Sequence, residues 1–135
     1  MTATQPTAAQ MAAFQEDAHD GPIIMINLLK FKERATYPDD APEAAEGLSG
    51  AEAYDRYAAA LEKFSTAEDV QLNPICPLTR ARAFIGEDGA WDAALVVRYP
   101  SRRHFLAMIT SDAYQTAHRH REAGLAHQVL IEAPQ

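Results

Sequence analysis

The apolar positions of this chain change period several times, and each change marks an element. Residues 8–18 carry Met11 and Phe14 three apart behind Thr7, a residue type that caps helices, and predict a short N-terminal helix. His19-Asp20-Gly21-Pro22 interrupts the chain, and the most apolar segment follows, IIMINLLKF, predicted as a strand over 22–32. Both faces of that strand are apolar: Ile23, Met25, Asn27, Leu29 and Phe31 on one, Ile24, Ile26, Leu28 and Lys30 on the other. Both therefore need cover, one from the chain's own helices and one from a second copy.

Residues 33–48, with Pro38, Pro42 and five acids, read as an exposed loop, equally compatible with a lid and with plain surface. Ser49 with Glu52 forms a capping box, and Tyr54, Tyr57, Ala58, Leu61 and Phe64 make one helical stripe. Residues 68–78, with Pro74 and Pro77, read as another loop. The period then falls to two: TRARAFIG over 79–86, a turn at Glu87-Asp88-Gly89, and WDAALVVRY over 91–99 predict a β-hairpin. Ser101 caps a helix bearing Phe105, Leu106, Met108 and Ile109. Ser111 opens another with Tyr114, Ala117, His118 and Arg121 on one stripe, Gly124 as its C-cap, and a last strand at 127–132. Residues 1–21 are thus expected to be an accessory helix and linker, and 22–135 an α+β domain. Its order is the ferredoxin-like split βαβ, with helices on one face of a four-stranded antiparallel sheet. The bare face predicts a homodimer.

Composition narrows the setting. Of 135 residues, 27 are Ala and only 26 are Leu, Ile, Val or Phe, so the core is thin and an interface would reinforce it. No apolar run approaches the ~20 residues that span a bilayer, and the N-terminal stretch lacks the basic and apolar regions of a signal peptide. A single Cys, Cys76, fits a reducing compartment, so a cytoplasmic location is expected. A net charge of −7 argues against nucleic-acid and anionic-membrane partners.

Four segments carry a family resemblance: PIIMINLLKFK, the helix start Gly50–Tyr57, WDAALVVRYPSRRHFLAMITSDAY and HREAGLAHQVLIE. Over roughly residues 22–132 they resemble the bacterial domain-of-unknown-function family 1330, itself similar to the dimeric α/β-barrel superfamily. The resemblance implies two ferredoxin-like subunits pairing their sheets around a cavity. It also admits cofactor-free monooxygenases, haem-degrading enzymes, isomerases and binding domains, so fold does not choose a reaction.

The candidate chemistry is sparse. There is no nucleotide-binding glycine motif, and His118 and His120 lie about 200° apart on a helix, so they cannot share one metal. No metal and no cofactor are expected. Cys76 has no basic neighbour in sequence to activate it. Asn27 interrupts an apolar strand and must satisfy its amide, from a ligand or from the protein; in related monooxygenases and haem-degrading enzymes an Asn on the equivalent strand joins the pocket. Arg98, on the bare face, could grip a carboxylate or enolate, or form a salt bridge at a dimer seam. His118 and His104 are the candidate acid/base groups, and Tyr114 and Arg121 share the His118 stripe to stabilise charge. A haem reading would combine Asn27, Trp91 and His104, with a poor apolar rim around them. The expectation is a dimer that binds a small carbonyl-bearing or anionic metabolite and acts on it by proton transfer or oxygenation. The alternative is a non-catalytic ligand-binding or interaction dimer.

Overall fold

The computed structural model describes residues 5–67 and 72–135. In chain order these form α1 (Ala8–Glu16), β1 (Ile23–Phe31), a 3-10 turn at Pro42–Ala45, α2 (Gly50–Ala67), β2 (Asn73–Arg80), β3 (Ala93–Tyr99), α3 (Arg102–Ile109), α4 (Asp112–Gly124) and β4 (Leu125–Pro134). The sheet order is β2-β3-β1-β4 with every pairing antiparallel. The ferredoxin-like α+β architecture expected from the sequence is present.

The two-sided reading of β1 holds in its burial pattern. Ile23, Met25, Asn27 and Leu29 are buried in the layer between sheet and helices, with Tyr99, Val97, Leu95 and Ala93 of β3 beside them. Ile24, Ile26 and Leu28 are half-buried on the open face, flanked by Arg98, Val96 and Ala94 on β3 and by Ala133, Ile131 and Val129 on β4. Among the described residues no element covers them in the way the helices cover the first face, which leaves a broad apolar surface.

Caps place the helices. Thr7 and Gln10 form a capping box on α1, Ser49 and Glu52 one on α2, and Ser101 and Ser111 accept from the third backbone amide beyond them on α3 and α4. The N-terminus of α2 meets the C-terminus of α4 glycine to glycine. A Cβ on Gly124 would lie 2.4 Å from the Gly50 oxygen, and one on Gly50 would lie 2.2 Å from the Lys32 oxygen. Lys32 N donates to Gly124 O at 2.8 Å and Gly50 N to Lys32 O at 3.0 Å, so β1, α2 and α4 close on one another there. Gly124 is thus required by close approach, not by the left-handed cap expected of it: it is the last helical residue, and β4 follows at Leu125, two residues before the predicted start.

The hairpin departs from expectation more sharply. Its first strand lies at Asn73–Arg80, mostly within the 68–78 segment read as a loop; of the 79–86 segment read as a strand only Thr79 and Arg80 belong to it, and the rest is irregular. β2 tolerates its prolines because it is an edge strand, where Pro74 and Pro77 need no donor on the solvent side, and its pairing with β3 shifts register twice. Residues 68–71 of the predicted loop lie outside the described residues. The acidic 33–48 segment is also more ordered than its composition suggested. Glu43 is buried and takes both arms of the Arg119 guanidinium at 2.8 and 2.6 Å, Glu46 binds Arg56 in the same two-fold manner, and Thr36 N donates to Ala123 O.

Candidate functional site

Helix α4 brings a buried polar group into the core. Its stripe turns Tyr114 and Arg121 into the core, with His118 half-buried between them. Tyr54 and Tyr57 of α2 and Tyr99 of β3 are buried in the same core, so four of the chain's five tyrosines gather there. Tyr57 Oη donates to Tyr114 Oη at 3.2 Å; the Tyr54 and Tyr57 rings lie 5.2 Å apart, and Tyr57 meets Tyr114 edge to face. Arg121 donates to Gln128 of β4 and to the Tyr54 hydroxyl.

Burial sets the protonation of this group. It pushes the Tyr54 hydroxyl up to about 12, against the opposing pull of Arg121, and raises Tyr57 and Tyr99 in the same direction. The Tyr54, Tyr57 and Tyr99 hydroxyls are therefore held neutral in the core that also buries Arg121. Burial also lowers His118, helped by the charge of Arg121 and opposed by Glu122. The Gln5 amide nitrogen stands 3.2 Å from His118 Nε2 and 2.8 Å from Glu122 Oε1. Because an amide nitrogen only donates, this contact leaves the lone pair on Nε2 and the proton on Nδ1, on the side of the Glu122 carboxylate 4.0 Å away. A neutral imidazole with its lone pair capped by one amide has the form of a general base.

The remaining predicted residues lie elsewhere. Asn27, 9% exposed, faces the helices, and its amide nitrogen donates to the main-chain oxygens of Met25 at 3.3 Å and Leu95 at 3.2 Å. Its donors are thus engaged by backbone, and it could offer a ligand only its oxygen. Arg98 is exposed on the opposite face of the sheet, so Asn27 and Arg98 do not meet within one subunit. His104 is exposed on the first turn of α3, where its Nδ1 lies 2.8 Å from Ser101 Oγ; no hydrogen bond or ring contact joins it to His118 among the described residues. The haem trio is likewise dispersed, with Trp91 edge-on to His127 at 5.1 Å. Tyr54, Tyr57 and Tyr99 join the group without being among the candidate residues that the sequence marks. The signal that marks them is hydroxylated aromatics where Phe or Leu would pack without a polar atom to satisfy.

Two open clefts lie apart from the α4 group. One of about 520 Å³ is lined by Glu33, Arg34, Gly47, Leu48, Ser49 and Glu52, and one of about 240 Å³ lies against Arg80, Arg82, Asp88, Trp91 and Asp92. Among the described residues no three His, Cys, Asp or Glu side chains converge as a metal ion would need, and no helix is long and apolar enough to cross a membrane.

Sheet, helices and connection order together define a ferredoxin-like α+β protein. Residues 44–133 match the family described as a domain of unknown function, DUF1330, and the chain belongs to that family. Two crystal structures of one Rhodopseudomonas palustris protein of unknown function are 31% and 28% identical to it, with TM-scores of 0.84, covering 100% of this chain and 96% and 98% of theirs. At 18% identity and a TM-score of 0.55, covering 87% of this chain and 92% of the other, a Caulobacter crescentus protein named as a candidate antibiotic biosynthesis monooxygenase shares the fold. So does a Bacteroides fragilis protein described as dimeric and of unknown function, at 15% identity and a TM-score of 0.52, covering 87% of this chain and 99% of that one. A comparison with curated proteins gives no match.

Proposed function

We propose that this chain is a homodimer, paired through its open sheet face, that binds a small carbonyl-bearing or anionic metabolite at the α4 group and moves a proton on it without a cofactor. The observation that carries this reading is His118: a half-buried imidazole, held neutral, with its Nε2 lone pair turned to a single displaceable amide. In this reading Nε2 removes a proton next to the substrate carbonyl, and Arg121 with the Tyr114 hydroxyl stabilises the enolate. Return of the proton elsewhere is isomerisation. Reaction of the enolate with dioxygen would be the oxygenation suggested by the candidate monooxygenase that shares the fold.

The test is proton exchange. The dimer is incubated in deuterium oxide with pyruvate, acetoacetate and 2-oxoglutarate, and loss of the proton signal beside the carbonyl is followed by NMR. Exchange above the buffer rate, falling about 100-fold in His118→Ala, is expected of a general base. No exchange with any of the three, and no shift of the melting temperature, would sink the reading in favour of a non-catalytic binding dimer. That alternative draws support from Asn27, whose amide protons serve the backbone, and from clefts that open away from His118.

A further inference from the structure

Among the described residues the large apolar side chains that stand exposed fall into two groups, and they sit at opposite edges of the sheet. Ile75, Phe84 and Ile85 belong to β2 and the loop that follows it; Val129, Leu130 and Ile131 belong to β4. Phe84 is 98% exposed and Ile85 89%, so their own chain gives them almost no contact. Yet the loop that carries them is anchored at its base. Ala81 N donates to Asp92 O at 3.0 Å and Asp92 N to Leu29 O at 2.8 Å, while the Asp92 carboxylate accepts from Phe31 N and from Lys30 Nζ. Lys30 Nζ also donates to Gly89 O at 3.0 Å. Gly86 and Gly89, at φ +117° and +77°, shape the rest, and a Cβ at either would find nothing within 4 Å. An apolar tip on an anchored arm is what a partner surface would cover.

β4 is the matching half. The exposure of three consecutive residues, 37%, 40% and 48%, means that both faces of this edge are bare, since successive side chains alternate sides. Face-to-face packing would cover Val129 and Ile131 and leave Leu130; an arm that comes round the edge covers all three. The two edges also differ in defence. β2 is blunted by Pro74, Pro77 and irregular register, whereas the ten residues of β4 hold no proline before Pro134.

Resting on the homodimer reading above, we infer that the arm 81–92 of each subunit reaches across the seam and seats Phe84 and Ile85 on the β4 edge of its partner, around Val129–Ile131. A two-fold axis between the open faces, running along the strands, lays the β2 edge of one subunit beside the β4 edge of the other, and the contact then occurs twice.

Directed cross-linking tests this in the full chain with Cys76→Ser as background. Ile85→Cys combined with Ile131→Cys is expected to give a disulfide-linked dimer on mild oxidation, while Ile85→Cys with Ala113→Cys, on the outer side of α4, is not. Phe84→Asp with Ile85→Asp is expected to weaken the dimer about 100-fold in sedimentation equilibrium, as loss of a buried apolar anchor does. A dimer that persists in that variant with no 85–131 cross-link overturns the arm and leaves the homodimer standing. A wild-type chain that sediments as a monomer overturns both. Flotation of the wild type with phosphatidylcholine vesicles, lost in the aspartate variant, would assign the tip to a membrane and overturn the arm.

Discussion

The two flanks of α4 use nearly the same residue types in opposite ways. On one flank Tyr114, His118 and Arg121 turn inward, where burial and tyrosine hydroxyls surround a guanidinium. On the other, Arg119 and His120 turn to the acidic loop: Arg119 grips Glu43, and His120 Nδ1 lies 2.7 Å from the Tyr37 hydroxyl. One residue of helical rotation separates Arg121 from His120, yet one flank makes a buried polar centre and the other a clamp on a surface segment. A histidine or arginine in sequence therefore carries little meaning until its flank is known.

The largest perturbation should remove the comparison altogether. Both flanks depend on where α4 ends, and that end is set by the contact of Gly124 with Gly50. Gly124→Ala would drive a Cβ to within 2.4 Å of a backbone oxygen that cannot swing aside, because the neighbouring Gly50 N is bonded to Lys32 O. A loss of about 3 kcal/mol is expected. Thermal unfolding monitored by circular dichroism reads it, and an unchanged melting temperature would mean that the helices part without cost.

The next test sets one arginine against the other. Arg121→Met leaves the Tyr54 hydroxyl and Gln128 short of a charged donor in the core and should cost about 2 kcal/mol globally. It should also raise the His118 pKa, since the Arg121 charge is one of the two influences that depress it. Arg119→Met acts on a half-exposed pair, so its effect belongs to the loop: backbone amides of residues 35–46 should exchange about 10-fold faster while those of β1 stay protected. Hydrogen exchange read by mass spectrometry separates the two. Equal global destabilisation by both variants would erase the distinction between flanks.

Much of this arrangement is readable in the sequence because it is local. The caps at Thr7, Ser49, Ser101 and Ser111, the two-sided β1 and the Tyr114–His118–Arg121 stripe all follow from spacings of two, three or four residues. What resisted reading is set by distant partners. Asn27 is satisfied by Leu95 O only because β1 and β3 pair in one particular register. Tyr54, Tyr57 and Tyr99 join α4 only once α2 and β3 are packed against it, and periodicity alone cannot tell a hydroxyl that meets a guanidinium from an ordinary core aromatic. Pro74 and Pro77 signal a loop unless β2 is known to be an edge. The acidic loop is drawn down on Glu43 by Arg119, 76 residues away, so its composition gives no hint that Glu43 is buried.

The smallest effect is the pH dependence of stability: the two flanks share one histidine window, and the Arg119–Glu43 clamp adds a second, lower one of the same sign. Burial lowers both His118 and His120, each further depressed by its arginine neighbour, so the unfolded chain takes up their protons more readily than the folded one. Stability should therefore fall as pH drops below the unperturbed histidine value near 6.5 and level off once the folded imidazoles are also charged. Glu43, held at about 2 by the Arg119 guanidinium, adds a second window: its contribution is complete above the ordinary carboxyl value of 4.5 and disappears as pH falls towards 2. His118→Gln and His120→Gln should each flatten part of the upper slope and leave the lower one intact, whereas Glu43→Gln should do the reverse. Urea melts at half-unit intervals between pH 3 and 8 measure both slopes. If His120→Gln alone removed the whole upper slope, the half-buried imidazole facing the tyrosines would titrate like one in water, and His118 would lose its claim to be the base.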